Sequence, residues 1–350
     1  MESSSHVHSK LAKRLLIVRT DKLGDFMLTW PALAYARTAF PNAQIEVLVS
    51  TGVEEVARAC PYIDDVVVDR GQPISGLRQI LRQRNYDAAV ALFSSSRVAR
   101  VLWGAGIAYR LGPATKVHQL LFNQRLKQRR SQSAKAEYQY NIDLVERLAR
   151  AHAHVTPQSA VAPPYWVLDQ DALANAAADL WLAHAIPKSS KLIIVHPGSG
   201  GSARNLSIEQ FAHLINQLHS AGRLFVLVTA GPGEESQARN LVRLITAHPA
   251  DVHVSTEGLV AFAHVLALAS LFVSGSTGPL HIAGALDVAT LAFYPRRRSA
   301  TSLRWKTINR PARALAFSPP TDADELAMHS INIDQAAQAA SERFLDGSDD

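Results

Sequence analysis

The sequence predicts an α/β protein with two doubly wound, mostly parallel sheets in tandem. Three observations predict it. From Arg14 onward, short apolar runs alternate with helix-spaced segments, the pattern of βαβ units. The alternation fails between Lys116 and Trp166, where basic and proline-containing stretches replace it. It restarts at Leu173 and runs to Tyr294, so a second sheet follows the first. A chain of 350 residues is long enough for two such domains.

Residues 1–13 read as a disordered tail. Arg14 to Thr20 is a buried strand, a short apolar run ended by Asp21, Lys22 and Gly24. Phe26 to Ala39 has helical spacing, with Pro31 as a kink or a late helix start. Strands are expected at Gln44 to Val49, Asp65 to Asp69 and Tyr86 to Phe93, with helices near 52–59, 74–84 and 95–103. Lys116 to Lys135 carries six Lys or Arg and no acid, and reads as a basic loop. Ala136 to Ala151 is a helix, and His152 to Trp166, with three prolines, a linker. The second half repeats the alternation. Strands are expected at Leu192 to His196, Leu224 to Thr229, Val252 to Val254, Leu271 to Ser274 and Ala289 to Tyr294, with helices between them and a last helix from Asp334. The expected domains are 14–165 and 166–330, with a closing helix and tail over 331–350.

Composition narrows the function. Hydrophobic residues make up 47% and charged residues 19%, which excludes disordered, collagen-like and coiled-coil chains. Cys60 is the single cysteine, so there is neither an internal disulfide nor a multi-cysteine zinc site. The histidines show no metal-ligand spacing, and no metal site is expected. No run is long enough to span a membrane, and nothing near the start reads as a signal peptide, so the cytoplasm is the expected compartment. A net charge of +6 favours anionic partners or is simply a surplus of solvated arginine.

Sheets of this kind bind ligands at the carboxyl ends of their strands, so the strand-end loops are the places to look. In the first loop, Thr20, Lys22 and Gly24 lead to Asp25 at a helix start. There a carboxylate either caps the helix or acts as a general base. In the second, Gly198, Ser199, Gly200 and Gly201 can point N–H groups inward, and Arg204 adds a planar cation suited to phosphate. A flexible turn is the alternative, and the loop lacks a P-loop ending. The third, Gly231-Pro232-Gly233-Glu234, mimics a dinucleotide fingerprint but lies mid-domain, with Ser236 where the third glycine belongs. In the fourth, Ser276 and Thr277 are placed to cap a helix that opens Gly278-Pro279-Leu280-His281. Its free N–H groups suit a diphosphate, and His281 either reaches a ligand or serves the core.

Together these loops resemble glycosyltransferase family 9, the bacterial heptosyltransferases. The stretches LLIVRTDKLGDFMLTWPAL, HPGSGGSARNLSIEQFAHL, VLVTAGPGEE and VSGSTGPLHIAGAL carry the resemblance, with Ala136 to Asn141 as a further element. It implies a GT-B fold, two Rossmann-like domains facing a central cleft. It implies an inverting, metal-independent transfer of a sugar, typically from an ADP-heptose to the lipopolysaccharide inner core. The donor is a substrate, and no cofactor is implied. By the same resemblance Asp25 is the catalytic base. Ser199, Gly200 and Arg204 line the phosphate pocket, with Arg204 where the family usually has lysine. Thr277, Gly278, Pro279 and His281 form the diphosphate-binding helix start, Glu257 borders the adenine, and Gly231 and Glu234 complete the donor side. Many family members have an aspartate where this chain has Ser276, which puts the identity of the sugar in question. Thr20, Lys22 and Gly24, with Arg125, Arg129 and Arg130, are assigned to a phosphorylated, lipid-linked acceptor at the inner face of the membrane, with no nucleic acid involved. The other readings weighed are an epimerase on the same fold, an oxidoreductase using the Gly231 loop, and a charge-driven binding protein.

Overall fold

The computed structural model describes residues 12–153, 157, 161–198, 200 and 204–346. The chain divides into two units, one of Met1–Arg129 with Tyr138–Val161, the other of Arg130–Glu137 with Ala162–Asp350. The boundary therefore differs from a single cut near residue 165. A short segment before the long sixth helix belongs with the second unit.

Unit 1 runs β1 (Arg14–Val18), α1 (Leu23–Met27), α2 (Trp30–Ala39), β2 (Gln44–Ser50), α3 (Glu54–Arg58), β3 (Asp65–Asp69), α4 (Ile74–Arg84), β4 (Ala88–Ala91), α5 (Ser96–Gly104), β5 (Tyr109–Pro113), β6 (Gln124–Leu126) and α6 (Glu137–His152). Its six strands are all parallel, in the order β3-β2-β1-β4-β5-β6. β1 shows why the sheet forms: Leu15, Leu16, Ile17 and Val18 are all buried, as a strand covered on both faces requires. Pro31 is the second residue of α2, where its missing N–H has no helical partner to lose, so a late helix start is what it marks.

Unit 2 runs α7 (Gln170–Ala183), β7 (Ser190–His196), α8 (Ile208–Gln217), β8 (Arg223–Ala230), α9 (Glu235–Leu244), β9 (Ala250–Val254), α10 (Leu259–Ala267), β10 (Leu271–Gly275), α11 (Gly278–Ala285), β11 (Thr290–Phe293), β12 (Ala314–Phe317) and α12 (Ile333–Ala340). Its strand order is β12-β11-β10-β7-β8-β9, again all parallel. Read from the far edge, this is the order of unit 1 repeated.

The structure corrects four expectations. The stretch after Lys116 is not one loop. It holds β6 between two 3₁₀ turns, Val117–Leu121 and Arg130–Gln132. β5 and β6 escape the apolar-run criterion because they are short and broken by Gly112, Pro113 or polar residues, and β12, though apolar, is an edge strand of only four residues. Residues 331–346 are not an appendage: Ile333, Ala336, Ala337, Ala340 and Leu345 belong to the core of unit 2. Ala12 is buried and the Lys13 N–H donates to Asp87, 2.7 Å away, so the ordered chain begins before Arg14. The rest of the expected tail, 1–11, lies outside the described residues. No helix among the described residues is long and apolar enough to cross a membrane.

Candidate active site

A doubly wound sheet has a crevice where its strand order reverses, at the carboxyl ends of two neighbouring strands that lead away in opposite directions. In unit 1 that point lies between β1 and β4, in unit 2 between β7 and β10. The first, second and fourth loops of the sequence reading leave β1, β7 and β10, so all three sit at switch points. The third follows β8 and does not.

In unit 1 the centre is Arg19, the residue after β1. It is buried, and its guanidinium holds three groups. Nε donates to Asp21 Oδ1 at 2.7 Å, Nη2 to Asp25 Oδ1 at 2.5 Å, and Nη1 to Asn141 Oδ1 at 3.1 Å. Asn141, from α6, also donates to the Leu28 carbonyl at 2.9 Å. Phe93, just past β4, lies with its ring centroid 6.0 Å from the guanidinium carbon. Two mostly buried carboxylates therefore share one cation. Burial pushes the Asp21 carboxyl up to about 6; Asp25 adds to the rise, and Arg19 opposes it.

Asp25 is the third residue of α1 and does not cap it. The N-cap position is Lys22, and no side chain closes that helix start. The carboxylate is turned back onto Arg19 instead. Lys22 is exposed, Thr20 and Gly24 half-buried. The sequence reading named Asp25 but missed Arg19 and Asn141. The signal for Arg19 was a charge at the end of an apolar run, six residues before Asp25. Nothing local marks Asn141 as its partner. Of the remaining acceptor residues, Arg125 in β6 and Arg129 are exposed, whereas Arg130 binds the buried Glu137 at 2.6 Å. Arg304 holds the other oxygen of Glu137 at 2.7 Å, so Arg130 is part of a structural ion cluster.

In unit 2 the switch point is built from backbone and neutral side chains. Ser274, in β10, donates to the His196 carbonyl at 3.0 Å, and the Thr277 hydroxyl lies 3.0 Å from Ser274 Oγ. Thr277 is the N-cap of α11, yet this bond turns its hydroxyl away and no side chain caps the helix. The expected capping by Ser276 and Thr277 is therefore not observed. The first-turn N–H groups of α11 have no intrahelical partner, and Pro279 contributes none. Ser276 is half-buried. His281 is buried, with Nδ1 lacking a hydrogen-bond partner, and burial pushes its pKa down to about 4. It is a neutral imidazole on the buried face of α11.

Glu234 organises the second loop. Its Oε1 accepts from the Gly200 N–H at 3.0 Å and its Oε2 from the Gly231 N–H at 3.1 Å. His196 Nε2 stands 3.7 Å away, while His196 Nδ1 meets Thr229 Oγ1 at 3.0 Å; burial lowers the His196 pKa, with Glu234 opposing. A Cβ on Gly198 would fall 2.1 Å from Glu234 Oε2, so only glycine admits this carboxylate. At β10 a Cβ on Gly275 would fall 2.5 Å from Asn205 Oδ1. Asn205 in turn donates to the Pro197 carbonyl at 2.8 Å and thereby ties the second loop to the fourth. With both oxygens accepting from backbone, Glu234 holds the second loop against the third rather than standing free. Arg204 and Glu257 are exposed. Ser199 lies outside the described residues.

The sequence profile described as "Glycosyltransferase family 9 (heptosyltransferase)" matches residues 74–323. The chain belongs to glycosyltransferase family 9. This family 9 chain is 39% identical over 329 residues to a Haemophilus influenzae protein named "Putative glycosyltransferase", covering 93% of this chain and 94% of that one. It is 25% identical over 303 residues to an Escherichia coli protein named "Lipopolysaccharide heptosyltransferase 1", covering 80% and 85%. Its fold matches the structure titled "E. coli ADP-heptose lps heptosyltransferase II" with a TM-score of 0.76 at 16% identity, covering 95% of this chain and 98% of that one. The family 9 enzyme thus has the GT-B architecture, two parallel six-stranded sheets, and it is a glycosyltransferase. An oxidoreductase using the Gly231 loop is set aside: that loop is off the switch point, and its Glu234 faces the Gly200 backbone.

Proposed function

We propose that this protein transfers a sugar, with inversion and without a metal, from an ADP-linked heptose to a phosphorylated, lipid-linked glycan acceptor of the lipopolysaccharide type. The observation that carries the reading is the start of α11, a helix N-terminus at a switch point with no side-chain cap. Such an end favours a diphosphate through its N–H groups and its dipole. The names of the Escherichia coli relatives support heptose, ADP and lipopolysaccharide as the specific chemistry.

In this reading the acceptor hydroxyl attacks the anomeric carbon from the side opposite the diphosphate. Asp25 takes the hydroxyl proton as the new C–O bond forms and the bond to the diphosphate breaks. Arg19 occupies Oδ1 of Asp25, which aims the carboxylate and leaves Oδ2 as the proton acceptor. The leaving diphosphate carries its charge to the α11 N-terminus and to Arg204. Ser276 replaces a carboxylate with a hydroxyl on the sugar side, so fewer sugar hydroxyls are held as acceptor-bound donors.

The test is a thermal-shift panel of ADP, UDP, GDP, CMP and NAD. A ligand at 100 times its dissociation constant stabilises by about 2.7 kcal/mol. A shift with ADP alone is expected, followed by ADP release from ADP-heptose in the presence of acceptor. A shift with UDP or GDP in place of ADP discards heptose while keeping sugar transfer. A shift with NAD alone overturns the reading.

A further inference from the structure

We infer that Asp21 is a positioning residue for the transfer step: its charge balances Arg19, so that Asp25 can take the acceptor proton without leaving a net cation in the crevice. This role rests on the reading of Asp25 as the base and extends it to a residue that acts through Arg19. Nε and Nη2 are the two donors on one edge of the Arg19 guanidinium. In a bidentate bridge such an edge takes both oxygens of a single carboxylate. Here it takes Oδ1 of Asp21 at 2.7 Å and Oδ1 of Asp25 at 2.5 Å. Two carboxylates therefore stand where one is usual. The Arg19 side chain is 3% exposed and each carboxylate 16%, so solvent screens the three charges weakly.

The local fold does not need a carboxylate at this position. No side chain caps α1, whose N-cap is Lys22. The turn is tied down through backbone, with the Asp21 carbonyl accepting from Ser50 Oγ at 3.1 Å. An asparagine at 21 could accept the same bond from Arg19 Nε. Burial pushes the Asp21 carboxyl up to about 6, Arg19 opposes this, and Asp25 adds to it. The ionised form is therefore a cost to the folded chain. A carboxylate that costs stability where an amide would bond equally well points to a use for its charge. Arg19 and Asp25 are the charged groups that face it among the described residues. Ser50 of β2, Phe93 after β4 and Asn141 of α6, the other side chains on Asp21 or Arg19, are neutral.

The use follows from the charge balance of the step. With both acids ionised, Arg19, Asp21 and Asp25 together carry one negative charge. The acceptor O–H bond breaks and its proton passes to Asp25, and the set becomes neutral. The electron pair left on the acceptor oxygen forms the bond to the anomeric carbon, and the pair of the bond that breaks leaves with the diphosphate. Asp21 neither gains nor loses a proton and supplies only its field. With a neutral residue at 21, the same transfer would turn a neutral pair into a net cation at a mostly buried place, which is disfavoured. Asp21 supplies its field only when ionised, so turnover falls as the pH drops through about 6.

The experiment is the pH profile of sugar transfer by the full chain, for the wild type, Asp21→Asn and Asp21→Glu, with the nucleotide sugar that the thermal-shift panel selects. Unfolding temperature and ADP binding are measured on each. The wild type is expected to lose turnover below a midpoint near pH 6. Asp21→Asn loses that midpoint and is slower at pH 8 by about tenfold or more. It binds ADP as the wild type does, and its unfolding temperature at pH 8 is unchanged or higher, which a merely structural role would not give. Asp21→Glu restores the charge and recovers most of the turnover. A midpoint that stays near 6 in Asp21→Asn overturns the inference. So does a loss of turnover that goes with a lowered unfolding temperature, or one that Asp21→Glu does not recover. A wild type that transfers no sugar overturns the function reading itself, whereas a wild type that transfers sugar beside an equally fast Asp21→Asn overturns this inference alone.

Discussion

The two switch points of this molecule share one strand order and almost no chemistry. In unit 1 a buried arginine binds two carboxylates and an amide, so the crevice is filled with compensated charge. In unit 2 the corresponding crevice holds glycine backbone, hydroxyls and two buried histidines, with a helix end left uncapped. A sheet topology supplies the place, and the loop residues decide what the place can do. Charge that titrates suits proton transfer. Backbone N–H groups that cannot titrate suit a permanent anion. In the proposed reaction the two needs fall on different units.

Four measurements would break or sharpen this contrast. The largest effect is expected for Arg19→Met. Removing the cation leaves Asp21 and Asp25 as mostly buried, uncompensated carboxylates, which costs about 3 kcal/mol or more of stability. Hydrogen exchange should show the loss in β1 and α1, with the amides of unit 2 protected as before; equal loss in both would mean that the clamp is not local to unit 1.

Next in size is Asp25→Asn. Turnover drops about 10²-fold or more while ADP binding by calorimetry stays unchanged. Near-normal turnover removes Asp25 from the chemistry. A parallel loss of ADP affinity would show that the division of labour between the units fails.

The third is a pH comparison. Asp21, held near 6, binds more protons folded than unfolded between about pH 4 and 6. Its contribution to stability is therefore greatest below about 4 and falls as pH rises to 6. His281, held near 4, binds more protons unfolded. Its contribution is full above about 6.5 and is lost as pH falls toward 4. Acidification over this window thus relieves unit 1 and weakens unit 2, each by up to roughly 3 kcal/mol. Hydrogen exchange at α1 and α11 should slope in opposite directions. Asp21→Asn flattens the first slope and His281→Gln the second; a shared slope would refute the opposition.

The smallest is Gly198→Ala. The new methyl group displaces Glu234 and leaves the Gly200 and Gly231 N–H groups without their acceptor, at a cost of about 1 kcal/mol. Binding of nucleoside diphosphates should weaken, while that of the free nucleoside changes less.

Much of the candidate site, as a set of loops at strand ends, was legible before the structure because its signals are local. Asp25 one residue after Gly24 at a strand-to-helix turn, and Thr277 to His281 at another, are written within a few positions. Partners that arrive from afar were not. Asn141 is 122 residues from Arg19, and Gly200 is 34 from the Glu234 that shapes its loop. Thr277 illustrates the middle case: its N-cap position was readable, but its bond to Ser274 instead of the helix was not, since either is within reach of a threonine hydroxyl.

The amino-acid sequence by itself determined the alternation of apolar strands and helices, hence two parallel sheets, and the loops that leave their central strands. Hydrophobic burial in period and run length requires only neighbours in the chain to be read. The tertiary structure alone decided which short polar segments become edge strands, that the last helix completes the core of unit 2, and that Arg19 is shared by two carboxylates. Those outcomes depend on which distant groups find one another. A buried charge or an unpaired edge is settled by its partner, and the partner is specified by the fold.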